Sequence, residues 1–210
     1  MKITLLQRQK KNRHRVSVYL DGEFAFGLND ECVFKFGLHK GMELDAERQR
    51  EIELYDQRVQ AKRIAERYVG ARMRSVQEVR KRLREKEISD DVIEETVETF
   101  LRVRLLDDTA FAEAWVRDRL RLRPRAASLL RRELRGKGVK QEIINDVLSR
   151  MIPEEDEEDI ARKLAEQYVR SHPSLERLVL KRRLSGYLQR KGFAVSIVIR
   201  VVDGVMGDTG

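Results

Sequence analysis

The sequence has 210 residues, of which 38% are charged and 41% hydrophobic, and it carries a net charge of +8 with a pI near 9.7. This composition provides too little apolar material for one large core, and it favours several small helical units with much solvated surface. No apolar run is long enough to cross a membrane, the N-terminal residues lack a signal peptide's apolar stretch, and the single cysteine, Cys32, excludes an internal disulfide. We therefore expect a cytoplasmic protein, without a membrane partner, that binds negatively charged molecules.

The first 45 residues predict a small β structure. Apolar residues alternate on both sides of the pair Asp21-Gly22, with Val16, Val18 and Leu20 before it and Phe24, Phe26 and Leu28 after it. Asp-Gly is typical of a type I′ turn, in which both central residues have positive φ, so this stretch predicts a hairpin with Phe24 and Phe26 on its core face. Ile3 to Leu6 can add a third strand, and Asn29 can cap a short helix that ends near Gly37.

From Asp45 onward the apolar period becomes helical, and one pattern occurs three times. Its copies are Leu83–Lys86–Glu87–Ile88–Ile93–Val97, Leu134–Lys137–Gly138–Val139–Ile144–Val147/Leu148 and Leu188–Lys191–Gly192–Phe193–Val198–Val202. The spacing within each copy is the same, and an aromatic residue followed by valine (Tyr68, Trp115 or Tyr168) ends the first helix of each unit. The sequence therefore predicts three tandem three-helix repeats.

The recurring Lys-Gly-apolar segment predicts the end of the second helix of each repeat. Glycine takes the left-handed conformation after the helix, and the apolar residue that follows returns to the core. Glu87 stands in place of glycine in the first copy, so we expect that turn to be strained or closed differently. Ser75 and Glu78 have the spacing of a capping box, and Asp107-Asp108 is expected to cap the first helix of the second repeat.

The predicted fold is mainly α, with the three repeats in an elongated curved array preceded by the N-terminal β segment. The predicted domains are residues 1–45 for the β-hairpin and short helix, and 46–105, 106–152 and 153–210 for the three repeats. We expect a monomer.

Catalytic and cofactor motifs are not found in the sequence. The three histidines lie in separate contexts without nearby ligands, and no phosphate-binding glycine loop occurs. Cys32 has no basic neighbours that would activate it, so we interpret it as a small buried side chain. The acidic run 154–159 could chelate a divalent ion, but we favour a solvated helix start. We expect neither an enzyme, nor a bound metal, nor a cofactor.

Basic residues recur at equivalent places, on and just before the second helix of each repeat. Residues 116–140 contain ten arginines and lysines against two acids, and a single charged run of this kind is usually a solvated helix face. Recurrence in all three repeats favours a continuous basic stripe, and arginine suits bidentate contacts to phosphate or carboxylate groups. The residues predicted to contact a partner are Arg72, Arg74, Arg80, Arg119, Arg125, Arg131, Arg132 and Lys137. Trp115, Tyr68 and Tyr168 could stack on bases, but their register favours packing.

Four segments in this order resemble the RecX family, whose members regulate the RecA recombinase. The segments are 72–79 (RMRSVQEV), 105–112 (LLDDTAFA), 115–117 (WVR) and 131–139 (RRELRGKGV), and the resemblance extends over essentially the whole chain. It implies a role in homologous recombination, DNA repair and the SOS response. It also implies binding along the groove of the RecA filament, next to the single- or double-stranded DNA inside it, with modulation or inhibition of ATP hydrolysis and strand exchange.

A different function class is also consistent with the residues. Helix pairs joined by a short glycine turn superficially resemble helix-turn-helix units, so the chain could be an architectural or transcriptional DNA-binding module. The arginines recur in every repeat and do not mark a single recognition helix, which favours the filament regulator. Tight binding to bare duplex DNA without RecA would favour the module.

Overall fold

The computed structural model describes residues 1–10 and 12–207 and is mainly helical, as predicted. Three strands come first: β1 (Ile3–Arg8), β2 (Arg15–Leu20) and β3 (Glu23–Asn29). The helices are α1 (Asp30–Lys35), α2 (Ala46–Ala71), α3 (Val76–Arg84), α4 (Asp90–Arg102), α5 (Asp108–Leu122), α6 (Ala127–Gly136), α7 (Gln141–Met151), α8 (Glu154–Arg170), α9 (Arg177–Arg190) and α10 (Val195–Gly207). The side chains of residues 154 and 155, which begin the acidic run, lie outside the described part.

The three strands form one antiparallel sheet in the order β1-β2-β3. Asp21 and Gly22 connect β2 to β3 with φ values of 50° and 95°, so both central residues of the turn have the positive φ that a type I′ turn requires. The predicted hairpin and the third strand are therefore confirmed.

The prediction that Phe24 lies on the core face is wrong. The register shifts between β2 and β3 so that Val18 pairs with Phe26 but Tyr19 pairs with Phe24. This irregularity at Ala25 moves Phe24 to the other face of the sheet, where it is 58% exposed and packs edge-on against Tyr19. One extra residue in a strand reverses the facing of the residues beyond it.

Helix α2 is shared between the N-terminal sheet and the first repeat. Near its start, Ile52 packs in the core that the sheet forms with α1. The first repeat comprises the rest of α2 with α3 and α4, and its buried side chains include Val59, Leu83 and Ile93. The second repeat comprises α5, α6 and α7, and the third comprises α8, α9 and α10, each around its own buried cluster.

The three predicted turns after the second helix close in the same way. Gly138 and Gly192 have φ values of 76° and 91°, and Glu87 takes the same left-handed region at 59°. In each copy the apolar residue after the turn donates its N–H to the carbonyl of the leucine five residues earlier, for example Ile88 to Leu83 at 3.3 Å. Glu87 therefore does not alter the closure, but it adopts a conformation that an L-residue takes at a cost.

The described chain divides into two compact units. One consists of residues 1–73 and 79–106, and the other of residues 74–78 together with Asp107 and the described residues after it. The first residues of α3 thus belong to the second unit. None of the described helices is long and apolar enough to cross a membrane.

Candidate partner-binding surface

Trp115 is the centre of a charged cluster in the second repeat. Its indole Nε1 donates a hydrogen bond to Glu133 Oε2 at 2.8 Å. The Arg119 guanidinium lies 4.0 Å from the centre of the indole ring, and Lys137 Nζ lies 5.1 Å from it. Cations at these distances are attracted to the negative face of the ring, so Trp115 holds two of the predicted contact residues in place.

Glu133 neutralises the arginines of this cluster. Its carboxylate accepts a hydrogen bond from Arg119 Nε at 3.0 Å and a further one from Arg125 Nη1. Burial raises the pKa of the Glu133 carboxyl, but the hydrogen bonds from Trp115 and Arg119 and the charge of Arg125 outweigh burial and bring the pKa below its usual value. Arg119 and Arg125 are therefore held by an acid that sequence analysis counted only as one of two charges against the basic run.

Lys137 is bound through both its side chain and its backbone. Its Nζ donates to Glu78 Oε1 at 3.0 Å, and its backbone carbonyl accepts a hydrogen bond from Ser75 Oγ at 2.6 Å. Ser75 and Glu78 also form the predicted capping box, because each backbone N–H donates to the other residue's side chain, at 3.2 and 3.3 Å. Lys137 thus joins the start of α3 to the turn after α6.

The same junction recurs between the second and third repeats. Ser128 Oγ donates to the carbonyl of Gly192 at 2.6 Å, and the backbone N–H of Ala126 donates to the carbonyl of Lys191 at 3.0 Å. A Cβ atom on Gly192 would lie 2.9 Å from Ser128 Oγ, and one on Gly138 would lie 2.4 Å from the Gln77 side chain. The repeated Lys-Gly pair therefore ends the second helix of its own repeat. It also contacts the residues that begin the second helix of the preceding repeat.

Arg131 and Arg132 on α6 are placed differently from Arg119, Arg125 and Lys137. Arg132 is exposed, and half-buried Arg131 lines a cavity of about 610 Å³ beside Arg200 and Glu157. Within the described part of the chain, neither guanidinium has an ion pair. These two arginines can therefore bind an acidic or phosphate partner without first releasing an internal one.

The remaining predicted contacts lie near the first repeat. Arg80 makes a bidentate ion pair with Glu94, with the shortest distance, 2.6 Å, between Arg80 Nη2 and Glu94 Oε2. These hydrogen bonds bring the pKa of the Glu94 carboxyl below its usual value. Arg72 is exposed and donates to the carbonyl of Met73 at 2.7 Å, and Arg74 is half-buried. Among the eight predicted residues, Arg119 and Arg125 share the Glu133 carboxylate, and Arg119 and Lys137 share the Trp115 ring.

One position has diverged among the repeats, and sequence analysis did not identify its role. Arg82, Glu133 and Tyr187 are equivalent, and each contacts the aromatic residue that precedes a valine on the first helix of its own repeat. The prediction that this aromatic residue ends the helix is wrong for Trp115, which lies in the middle of α5 because α5 continues to Leu122. Arg82 lies 5.8 Å from the Tyr68 ring centre, and the Tyr187 ring lies 4.8 Å from that of Tyr168. In the third repeat no acid takes this place, and Lys191 lies 5.5 Å from the Tyr187 ring centre. Burial and the nearby charges of Arg125 and Arg123 lower the pKa of Lys191. The sequence could have revealed this position, because Arg82, Glu133 and Tyr187 each directly precede the repeated leucine.

The chain is similar to known proteins along nearly its whole length. Four family models match in order: the regulatory protein RecX N-terminal domain over residues 1–45, and the first, second and third RecX three-helix domains over 61–100, 107–148 and 155–202. Regulatory protein RecX of Bacillus subtilis is 34% identical over 203 residues, which cover 97% of this chain and 76% of the relative. The chain belongs to the RecX family. Regulatory protein RecX of Clostridium perfringens is also 34% identical, over 91% of this chain and 90% of the relative.

Solved RecX structures have the same fold. A crystal structure of regulatory protein RecX superposes with a TM-score of 0.68 at 28% identity and covers 96% of this chain and 98% of its own. RecX from Lactobacillus salivarius superposes with a TM-score of 0.65 at 21% identity and covers 72% of this chain, which supports the fold alone. The recognised resemblance and the predicted mainly helical fold, with three three-helix repeats after a small N-terminal sheet, are therefore confirmed, and the chain is a member of a family of regulatory proteins.

Proposed function

We propose that this RecX-family chain binds the RecA–DNA filament along its groove and modulates or inhibits ATP hydrolysis and strand exchange by RecA. The observation that carries the proposal is the pair Arg131 and Arg132, which lie on α6 without an ion pair in the described chain. A partner that carries phosphates and acidic side chains together fits such arginines. Repeats that each add a weak contact can raise the overall affinity through avidity.

The eight predicted contact residues have unequal roles in this proposal. Arg131 and Arg132 are proposed to contact the partner directly, together with exposed Arg72 and with Arg74. Arg80, Arg119, Arg125 and Lys137 engage carboxylates of the chain itself, so they are proposed to contact the partner through the N–H groups that remain. Arginine offers five N–H donors and lysine three, so an internal ion pair does not exhaust them.

Titration of the chain into RecA on single-stranded DNA tests the proposal, with ATP hydrolysis and strand exchange as the readouts. We expect both rates to change at amounts that are stoichiometric with the filament. Unchanged rates would refute the proposal. Tight binding to bare duplex of one sequence without RecA would instead favour the architectural or transcriptional module.

A further inference from the structure

The first unit contains a basic cavity that none of the predicted contact residues lines. Its volume is about 450 Å³, and it lies between the start of β2 and the middle of α2. The lining residues are Asn12, His14, Arg15, Asn29, Gln60, Arg63, Ile64 and Arg67. Three guanidinium groups, an imidazole and three amides thus surround one space, and no carboxylate is among the residues that line it.

A buried acid, Asp56, binds several of the residues that line the cavity. Asp56 is 4% exposed, and its Oδ1 accepts hydrogen bonds from the backbone N–H and the side-chain amide of Asn29, both at 2.6 Å. Its Oδ2 accepts a hydrogen bond from Gln60 Nε2 at 2.5 Å and lies 3.7 Å from Arg15 Nη2. Asp56 therefore fixes the positions of three lining residues. A charged residue on the buried face of a helix is unusual, and the burial of Asp56 was not predicted from the sequence.

The acids near the cavity orient its cations without lining it. Arg63 donates to Asn29 Oδ1 at 3.0 Å and to Glu31 at 3.4 Å, and His14 lies 3.6 Å from Asp30. Arg67, one helical turn after Arg63, is exposed and has no ion pair within the described residues. The cavity thus combines arginines held in place with one cation whose charge no acid of the described chain neutralises.

The strand and loop beside the cavity extend its positive charge. Arg8, Lys10 and Arg13 are exposed, and no acid occurs between Arg8 and Arg15 in the sequence. One isolated anion would need only the cavity, whereas further cations on the strand and loop that lead to Asn12 and Arg15 suit a ligand that carries several negative charges. A nucleic acid backbone is such a ligand, and guanidinium groups bind its phosphate oxygens in bidentate geometry.

We propose that this cavity binds a phosphodiester group of a nucleic acid strand. Arg63 and Arg67 contact the phosphate oxygens, Arg15 and the amides of Asn29 and Gln60 complete the cavity, and the exposed cations follow the adjacent phosphates. This inference goes beyond the proposed function because it requires no recombinase. The N-terminal unit would hold a strand by itself, whatever the repeats bind.

Binding of a labelled oligothymidine to the full-length chain, measured by fluorescence anisotropy without RecA, tests the inference. Replacing Arg63 and Arg67 together with Gln should weaken binding about tenfold and reduce the slope of log K against log salt by about 1.4. The matched control replaces Arg50 and Arg58 with Gln. These residues lie on the same helix, and like the test pair they comprise one cation without an ion pair and one paired with a glutamate. A duplex of the same length shows whether single or double strands are preferred.

The outcomes separate a built site from diffuse attraction. A loss confined to Arg63→Gln/Arg67→Gln, with unchanged helical circular dichroism, supports the cavity as the phosphate site. An equal loss in both double variants would overturn the proposal, because overall charge would then explain the binding. No loss in either double variant would also overturn it.

Arg67→Gln alone perturbs no ion pair, so it tests the site if the double variant folds poorly. Weaker binding to RecA with unchanged DNA binding would assign the cavity to an acidic protein surface and also refute the proposal.

Discussion

Single residues in this chain show how internal partners decide whether a basic residue is available. The Glu133 carboxylate accepts hydrogen bonds from Trp115, Arg119 and Arg125. Arg131 and Arg132, on the same helix as Glu133, have no ion pair in the described chain. The sequence shows all of these charges, but their pairing depends on where α5 and α6 meet. A count of basic residues therefore overestimates the cations that a partner meets without competition.

Replacing Glu133 with Gln should destabilise the second unit by about 1–3 kcal/mol at neutral pH, because two partly buried guanidinium groups lose their charged partner. The pKa of Glu133 is lowered in the folded chain, so its contribution is present above the ordinary carboxyl pKa and is lost as the pH falls through the folded value. Trp115 is the only tryptophan, so its fluorescence reports urea unfolding of this unit. Exposed Glu142→Gln is the control, and equal effects of the two variants at neutral pH would contradict the account.

The Cys32 thiol should be almost unreactive in the native chain. It is fully buried, and burial together with the charge of Asp56 and a hydrogen bond to it raises its pKa to about 12. The folded pKa is above the unfolded one, so the protonated thiol stabilises the fold below about pH 9 and this contribution falls at higher pH. Alkylation at mildly alkaline pH should be slow in buffer and fast in denaturant. Equally fast reaction in both would show that the thiol is accessible.

At the scale of the elements, the turn after the second helix of each repeat has two constraints. Positive φ explains glycine at Gly138 and Gly192, but Glu87 adopts the same region. The additional constraint is the close approach of Gln77 to Gly138 and of Ser128 and Leu129 to Gly192. The left-handed turn could be predicted from the sequence, but this contact could not, because it joins residues that are about sixty positions apart.

Gly138→Ala should destabilise the second unit by about 2–4 kcal/mol, since the new Cβ combines a left-handed conformation with an overlap at Gln77. Gly136→Ala is the matched control, because nothing lies within 4 Å of a Cβ at that helical position. Urea unfolding followed by Trp115 fluorescence measures both. Similar stabilities of the two variants would show that the approach of Gln77 is unimportant.

Glu87→Gly should stabilise the first repeat by about 1 kcal/mol, because glycine adopts a φ of 59° without the cost that an L-residue incurs. Glu85→Gly lies two residues earlier, outside the positive-φ region, and should destabilise. Thermal unfolding followed by circular dichroism compares the two variants. A lower melting temperature for Glu87→Gly than for the parent chain would mean that Glu87 makes a contact worth more than its strain.

Local patterns predicted most of the fold, and long-range contacts account for what they missed. The Asp21-Gly22 hairpin, the Ser75–Glu78 capping box and the repeated turn each depend on residues close in sequence. The irregularity that exposes Phe24 depends on pairing with Tyr19, and the burial of Asp56 depends on hydrogen bonds from Asn29. Neither leaves a periodic signal, so the cavity lined by Arg63 and Arg67 could not be predicted.

At the scale of the whole molecule, different parts of one chain have different proposed tasks. The repeats are proposed to contact the RecA–DNA filament, and the N-terminal unit is proposed to hold a nucleic acid strand. Both proposals use arginines on helices whose positions the core fixes, so the surfaces are formed before the partner arrives.

Replacing Arg131 and Arg132 together with Ala should weaken binding to the RecA–DNA filament about tenfold or more while helicity is retained, because two charge-assisted contacts are lost. Lys163→Ala/Arg170→Ala removes the same charge from exposed positions on α8 of the same unit and is the control. Co-sedimentation with filaments measures both. If the two double variants bind equally, the second repeat does not anchor the chain.

Electron cryomicroscopy of the chain bound to RecA filaments on single-stranded DNA would show where on the filament the chain lies and which of its helices faces the filament. We predict density that follows the filament groove, with α6 and its Arg131 and Arg132 facing the filament. Density confined to the filament ends, or α6 facing solvent, would contradict it.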